Sequence, residues 1–215
     1  RIKGRAGVGV AVRRGRARID GQPRLVLDDA ERDVDSGRWL EATVSREGGD
    51  TPVRVVSAYF HSGEKDTPKQ DAKMAHLPRI GNRMAELIAE EANGGVSSLV
   101  CGDFNVVRSR SDIKNWTPNH NKRAGVLDEE IAFLNRWVDE GWRDTVRDLA
   151  GNTQGPYSWW SWRGQAFVNN AGWRIDYQYA TPRLGALARS FDIGRAPEYD
   201  ARFSDHAPVS VTYDI

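Results

Sequence analysis

A helical segment between two apolar strands most constrains how this chain can fold. Residues 52–60 are rich in valine and predict a strand, and residues 98–101 form a second apolar run. Between them, from about Lys69 to Ala92, apolar residues recur on one helical face. Pro78 either kinks this helix or begins its main part. Strand, helix and strand in this order predict an α/β sandwich.

Further elements are predicted on both sides of this unit. Short loops join the earlier strands and favour an antiparallel meander, with strands at residues 7–12, 25–27 and 39–44. A polar, aperiodic surface loop is expected over residues 106–126, and an amphipathic helix over residues 127–138. The last predicted strands span residues 173–180 and 207–213.

Composition bounds the class of protein. The 215 residues can bury a sizeable core and fit one domain, residues 1–215. No apolar run approaches the ~18 residues that span a bilayer, so no membrane is expected as a partner. The single cysteine, Cys101, cannot form an internal disulfide and favours a reducing compartment, by default the cytoplasm. A net charge of only +1 provides no global argument for nucleic acid.

Basic residues are nevertheless clustered in two places. Eight stand among the first 24 residues, against one acid: Arg1, Lys3, Arg5, Arg13, Arg14, Arg16, Arg18 and Arg24. The second cluster lies in the predicted loop and comprises Arg108, Arg110, Lys114, Lys122 and Arg123. A solvated surface explains either cluster, and explains the first more readily than the second.

Three segments place an acidic or amide side chain at the end of a predicted strand. They are Gly102-Asp103-Phe104-Asn105, Arg174-Ile175-Asp176-Tyr177 and Ser204-Asp205-His206-Ala207-Pro208. Open α/β sheets bind ligands at the carboxyl ends of their strands. Alone, the first segment is typical of an Asx turn, and an Asp-His pair is typical of a loop salt bridge. Together, the three segments indicate an active site.

In this order and at these separations, the segments resemble the exonuclease III family of abasic-site endonucleases, within the endonuclease/exonuclease/phosphatase superfamily. Val56 to Phe60, followed by Ser62-Gly63-Glu64, is similar to the family's tyrosine segment. The stretch from Tyr157-Ser158-Trp159 to Tyr177 is similar to its DNA-facing aromatic loop and the following strand. The resemblance implies an α/β, four-layer sandwich in which two mixed sheets pack between helices.

The resemblance also implies roles for individual residues. Tyr59 matches the tyrosine whose hydroxyl contacts the scissile phosphate. Asp103 is suited to orient and deprotonate the attacking water, with Asn105 holding that water or a phosphate oxygen. His206 can donate to the phosphate, and the family pattern assigns Asp176 to fix its tautomer and keep it cationic.

The implied cofactor is Mg²⁺, for which Mn²⁺ can substitute. Asp205 is the expected oxygen ligand, together with Asp103 and Asn105. In the family, a strand preceding the segment that matches residues 7–12 ends in a glutamate, the principal metal ligand, and an earlier strand carries an asparagine. Both are absent here, so we expect an N-terminally truncated copy or a loss of activity. The role is not transferred to the glutamates that are present, Glu31, Glu41 and Glu47.

The expected partner is double-stranded DNA with abasic sites or 3′ ends, bound by a monomer. The second basic cluster can neutralise backbone phosphates, and Asn169 belongs to the DNA-facing loop. Trp159 and Phe167 match the family's pocket for an extruded abasic sugar, although core packing also explains both rings. Trp160 and Trp162 have no assigned role.

Three functions follow from these patterns. The first is a Mg²⁺-dependent DNA repair nuclease that cuts 5′ to abasic sites and trims 3′ ends; in a prokaryote it would associate with the nucleoid. The second is a catalytically incompetent DNA-binding domain without its metal ligand. The third is a phosphomonoesterase of the same superfamily, which the aromatic loop and the basic segment argue against.

Overall fold

The computed structural model describes residues 6–31, 36–49 and 51–215. Arg1, Lys3 and Arg5 of the first basic cluster lie outside the described residues, as does the side chain of Glu31. The first half of the chain forms three strands, one long helix and a fourth strand: β1 (Ala17–Arg24), β2 (Trp39–Arg46), β3 (Val53–Tyr59), α1 (Pro68–Ala92) and β4 (Ser97–Asp103).

Shorter elements make up the second half. They are α2 (Trp116–Asn119), α3 (Asp128–Asp139), β5 (Arg143–Asp144), α4 (Thr145–Ala150), β6 (Asp176–Ala180), α5 (Pro182–Gly185), β7 (Ala188–Ile193) and β8 (Val209–Tyr213). Single 3-10 turns lie at Asp29–Glu31, Arg110–Asp112 and Tyr199–Ala201. The described part of the chain includes no helix with the length and apolarity needed to cross a membrane.

The larger sheet is mixed and has the strand order β1-β2-β3-β4-β6-β5. Strands β1 to β3 are antiparallel, as in the expected meander, whereas β3 and β4 are parallel and are connected through α1. Strand β6 runs antiparallel to β4, and β7 and β8 form a separate antiparallel pair. This arrangement confirms the predicted α/β fold class.

Helix α1 is set by its cap and its apolar face. The Thr67 hydroxyl accepts a hydrogen bond from the Lys69 amide at 3.2 Å, and a proline at the first helical position suits the restricted backbone there. Pro78 lies inside this helix and does not end it. Its buried face includes Leu77 and Ile80, which belong to the main hydrophobic core.

Two of the predicted strands are wrong. Residues 7–12 form no strand, and no ladder partner faces them within the described chain. Residues 25–27 leave the sheet because the Arg24 guanidinium donates to the carbonyl oxygens of Val26 and Leu27, at 3.0 and 2.6 Å. The strand in this region is β1, whose charged sequence is typical of a sheet edge rather than of an apolar alternation.

The predicted loop over residues 106–126 is only partly irregular. It includes one 3-10 turn and α2, and four of its side chains belong to the main core: Val106, Val107, Ile113 and Val126. These apolar residues do not recur with a helical or strand period. The polar residues between them therefore dominated the prediction of a surface loop. The loop is therefore anchored to the core at both ends.

Candidate active site

Three strands end side by side and bring polar side chains to one edge of the larger sheet. Tyr59 pairs with Asp103 across β3 and β4, and Asp103 pairs with Asp176 across β4 and β6. Directly opposed residues project from the same face, so the three side chains form a row. Gly102 makes this approach possible, since a Cβ atom there would lie 1.9 Å from the Ala58 carbonyl oxygen at a φ of +140°.

Asn105 folds back onto Asp103. Its backbone amide donates to one carboxylate oxygen and its side-chain amide donates to the other, each at 2.8 Å. The same side chain also donates to the Phe60 carbonyl at 3.1 Å. The backbone φ of +53° is one that asparagine tolerates better than most residues. The Asx turn that the sequence suggested is therefore present. It also holds the Asn105 side-chain amide beside the Asp103 carboxylate.

A buried ion pair supports this turn from beneath. The Lys73 ammonium lies 2.7 Å from the Glu130 carboxylate and donates to the Asn105 carbonyl at 2.9 Å. The Lys73 and Glu130 side chains are 1% and 0% exposed. Glu130 also accepts from the Gly125 amide at 2.6 Å. Neither member of the pair stands in a motif, so the sequence offered no signal for this support.

The His206 imidazole contacts the Asp176 carboxylate through one ring nitrogen and faces Asp103 with the other. Its Nδ1 lies 2.9 and 3.0 Å from the two Asp176 carboxylate oxygens, so Nδ1 carries a proton and donates it. The Ser158 hydroxyl donates to the same carboxylate at 2.6 Å. The other ring nitrogen, Nε2, lies 4.0 Å from Asp103 Oδ2. The predicted residues Asp103, Asp176 and His206 are therefore together in space.

Burial and charge shift the pKa values of the two central groups. Burial raises the pKa of Asp103 to about 7, and the neighbouring Asp176 charge adds to this, whereas His206 and Lys73 oppose it. Burial alone would lower the pKa of His206, but the hydrogen bond and charge of Asp176 raise it above its usual value. The site thus favours a cationic imidazole beside a carboxylate that can hold a proton near neutral pH.

Asp205 is close to the site, but one of its oxygens is already engaged. The Trp159 indole Nε1 donates to Asp205 Oδ2 at 3.0 Å. Within the described residues, no three carboxylate, imidazole or thiolate groups converge as a metal site. Glu41 is not a substitute, since Arg83 donates to both of its oxygens at 2.8 and 2.7 Å. Asp103 and Asp205 supply carboxylate oxygens beside the Asn105 amide, and Mg²⁺ is commonly bound by one or two carboxylates together with retained waters.

Four basic residues of the second cluster face solvent or a surface cleft, and the fifth, Arg108, points into the protein. Arg110 and Lys114 line one open cleft of about 300 Å³. Arg123 lines a neighbouring cleft of about 380 Å³, and Lys122 is exposed beside it. Arg108 points inward instead, where its Nε lies 3.1 Å from the Asp144 carboxylate. We therefore correct the prediction that Arg108 faces DNA, because its charge is used inside the protein.

Trp159 lines the larger cleft, but its neighbour there is Trp173. The two rings pack edge to face with centroids 5.6 Å apart, and both line the 380 Å³ cleft. Phe167 is only 3% exposed and packs against Trp160, so the predicted pairing of Trp159 with Phe167 in one pocket is wrong. Asn169 is exposed on the loop that forms a wall of this cleft.

We expect Ser158→Ala to reduce activity about tenfold without unfolding the protein, because the hydroxyl orients Asp176 and, through it, His206. Ser98→Ala is the matched control. The Ser98 hydroxyl is also fully buried, but it has no hydrogen-bond partner among the described residues. Turnover rates and the imidazole proton resonances of His206 measure the effect. Equal turnover by the two variants would remove Ser158 from the positioning network.

Comparison with known proteins identifies the family to which this fold belongs. The family model described as Endonuclease/Exonuclease/phosphatase family matches residues 1–206. The chain therefore belongs to this family.

Individual relatives agree with this assignment. An exodeoxyribonuclease from Bacillus subtilis is 36% identical over 163 residues, which cover 76% of this chain and 61% of the relative. A DNA-(apurinic or apyrimidinic site) endonuclease from Dictyostelium discoideum is 32% identical over 127 residues, covering 59% of this chain and 34% of the relative. This chain thus spans less than two thirds of either protein.

A solved structure shows the same fold. A 3′ phosphatase from Neisseria, bound to a product DNA hairpin, superposes with a TM-score of 0.77. The match covers 93% of this chain and 79% of that chain, at 24% identity. The similarity therefore extends over nearly the whole described fold.

Proposed function

We propose that this chain carries the active site of a DNA repair nuclease that cuts the backbone 5′ to abasic sites and trims 3′ ends of duplex DNA as a monomer. The observation that carries the proposal is the placement of His206 Nε2 4.0 Å from the partly buried Asp103 carboxylate, with Asp176 holding Nδ1. The names of the relatives, an exodeoxyribonuclease and an abasic-site endonuclease, support the substrate class.

In the proposed reaction, Asp103 acts as the general base. Water attacks the phosphorus, Asp103 accepts the proton of that water, and the bond from phosphorus to the 3′ oxygen breaks. The departing oxygen takes a proton from solvent, so a 3′ hydroxyl and a 5′ phosphate result. Asn105 orients Asp103 through its two hydrogen bonds.

His206 and Tyr59 bind the phosphate in this proposal. The cationic imidazole donates from Nε2 to a phosphoryl oxygen, where negative charge develops during attack. Tyr59 stands in the same row of strand ends and offers its hydroxyl to another oxygen. The Arg38 guanidinium lies 4.7 Å from the centroid of the Tyr59 ring and fixes its orientation.

The two clefts are proposed to bind the DNA. Arg110, Lys114 and Arg123 neutralise phosphates on either side of the cut, with Lys122 and Asn169 at the margin. The aromatic wall formed by Trp159 and Trp173 accepts the extruded abasic sugar, because a missing base removes most of the unstacking cost.

The metal in this proposal is Mg²⁺, replaceable by Mn²⁺, as the family resemblance implies. Asp205, Asp103 and Asn105 are its proposed oxygen ligands from this chain. Cleavage assays with Mg²⁺, with Mn²⁺ and with a chelator measure the dependence directly.

The test is incision of a duplex that carries one tetrahydrofuran abasic analogue, using the wild-type chain and His206→Asn. We expect incision by the wild-type chain and a rate about 10²-fold lower for the variant, since one donor to the developing charge is removed. An equal rate for both would contradict the proposed role of His206. An undamaged duplex and a 3′-phosphorylated duplex are assayed in parallel.

The outcomes separate the competing functions. Metal-dependent incision that His206→Asn slows supports the nuclease. Tight binding of the duplex without any incision identifies a DNA-binding domain that lacks turnover. Hydrolysis of an inositol phosphate, with none of DNA, identifies a phosphomonoesterase and overturns the proposal.

A further inference from the structure

The buried ion pair of Lys73 and Glu130 lies where three loop segments meet. The Lys73 ammonium donates to the Ser62 carbonyl at 3.3 Å and to the Asn105 carbonyl at 2.9 Å. Its partner Glu130 accepts from the Gly125 amide at 2.6 Å with the oxygen that does not face Lys73. One ion pair therefore joins the loop after β3, the turn after β4 and the end of the loop that precedes α3. We call residues 103–105 the catalytic turn and residues 106–126 the basic loop.

The two charges bind the backbone in complementary ways. A cation attracts carbonyl oxygens and a carboxylate attracts amide groups, and hydrogen bonds to charged groups are stronger than neutral ones. Gln70 adds a further contact, since its side-chain amide donates to Glu130 at 2.8 Å. Buried ion pairs are a weak source of net stability, because the cost of desolvation offsets their attraction. The more specific consequence of this pair is that it fixes where the bound segments lie.

Gly125 brings the basic loop into direct contact with the catalytic turn. A Cβ atom at Gly125 would lie 2.7 Å from the Asn105 carbonyl oxygen and 3.2 Å from the Trp173 ring. The Val107 amide donates to the Gly125 carbonyl at 2.9 Å and closes the loop at its other end. Arg123, two residues before Gly125, lines the cleft that Trp173 also lines. The segment that places Arg123 is therefore packed against the turn that places the general base.

We propose that Lys73 and Glu130 are positioning residues for the nuclease reaction, and that they align the catalytic turn with the basic loop that binds DNA. This inference rests on the proposed nuclease function and assigns further residues to it. Lys73 holds the Asn105 carbonyl, and Asn105 in turn orients the Asp103 carboxylate through two hydrogen bonds. Loss of the ammonium group therefore disturbs the base without removing any group that touches the substrate.

The first test is Lys73→Met on the abasic duplex. We expect the single-turnover rate of incision to fall about 10- to 100-fold, the range found when a group that orients a reacting residue is removed. Affinity for the duplex, measured with a chelator present, should stay close to that of the wild-type chain. The basic loop keeps its contact with Glu130 in this variant, so the residues that bind phosphate remain in place.

Arg83→Met is the matched control for lost stability. Arg83 also lies on α1 and forms a buried ion pair, with Glu41 at 2.7 Å and side chains that are 9% and 5% exposed. Its other hydrogen bonds go to Glu86 and Glu90, away from the catalytic turn. Both variants should unfold at lower urea concentration, but Arg83→Met should cut DNA at the wild-type rate. An equal loss of rate in both variants would assign the effect to general destabilisation and overturn the proposal.

The double variant Lys73→Met with Glu130→Gln separates position from charge. Lys73→Met alone leaves the buried Glu130 carboxylate without its cation, whereas the double variant removes both charges and should recover stability. The Asn105 carbonyl still lacks its donor, so the incision rate should remain low. Recovery of the wild-type rate would show that the unpaired carboxylate slows the reaction, and would contradict the role given to Lys73.

The nuclear magnetic resonance signals of the Asn105 side-chain amide provide a readout that does not depend on cutting. They should shift in Lys73→Met and stay unchanged in Arg83→Met. A wild-type chain that does not cut DNA contradicts the nuclease, and a shift of these signals then still supports the positioning of the turn by Lys73. Unchanged signals in Lys73→Met overturn the positioning whether or not DNA is cut. Normal cutting by Lys73→Met overturns the positioning alone and leaves the nuclease in place.

Discussion

Replacing Asp103 with asparagine is expected to lower the rate of DNA incision by about 10³- to 10⁴-fold, toward the upper end of what a general base contributes. The side chain keeps its shape, so the row of strand ends can persist, but the new amide can accept only one of the two hydrogen bonds that Asn105 donates to Asp103. What disappears is the carboxylate that accepts the proton of the attacking water in the proposed reaction, and whose Oδ2 lies 4.0 Å from His206 Nε2. Single-turnover rates on the abasic duplex measure this loss.

DNA binding provides the control for this variant. Asp103→Asn removes a negative charge from the proposed phosphate site, so affinity for the duplex should be unchanged or higher. Asp192→Asn, an exposed carboxylate on β7, should alter neither rate nor affinity. A rate for Asp103→Asn within tenfold of the wild-type rate would show that another group accepts the proton.

Replacing Arg174 with methionine is expected to cost about 3–5 kcal/mol of the free energy of unfolding. The Arg174 side chain is 1% exposed and donates to Asp112 at 2.7 Å and to both oxygens of Asp144 at 2.8 Å. Methionine fills similar space but satisfies neither carboxylate. Since whole domains are stable by only about 5–15 kcal/mol, the loss should be evident in urea unfolding followed by tryptophan fluorescence.

An exposed ion pair gives the matched comparison. Arg189 donates to Asp214 at 2.6 Å, but both side chains are more than half exposed, so Arg189→Met should cost less than about 1 kcal/mol. Similar costs for the two variants would show that the buried ion pairs of Arg174 stabilise the fold no more than the exposed pair does.

The same network predicts how stability depends on pH. Burial opposes ionisation of Asp112, but Arg174 and Arg147 hold its pKa below the usual value in the folded state. Such a group stabilises the fold above its unfolded pKa, and this contribution disappears as the pH falls through the lower, folded pKa. Arg174→Met should therefore flatten the acidic limb of the curve of unfolding free energy against pH.

The elements with strong periodicity were predictable from sequence. Strands β2, β3, β4 and β6 and helices α1 and α3 follow apolar patterns that match their burial. Strand β1 was not predictable in this way, because an edge strand is exposed on much of its surface and carries charges. Strand β7 is similarly half exposed and has no apolar alternation of its own.

Site residues that stand in sequence motifs were predictable. Residues that support the site through contacts between segments far apart in sequence were not. Family resemblance brought Asp103, Asp176 and His206 together correctly. Lys73 and Glu130 support the site through contacts between elements far apart in sequence, which no local pattern reveals. Arg108 looked like a surface cation, and only the folded chain shows that a buried carboxylate pairs with it.

The row formed by Tyr59, Asp103 and Asp176 would make the proposed turnover a reporter of strand alignment. A slip of one residue in β3 or β6 would turn the corresponding side chain to the opposite face of the sheet, while the strand could still form a similar number of backbone hydrogen bonds with new partners. Circular dichroism would hardly register such a misfolded species. The slipped species would lose a site residue and therefore its activity. Specific activity would thus measure the correctly aligned fraction of a preparation.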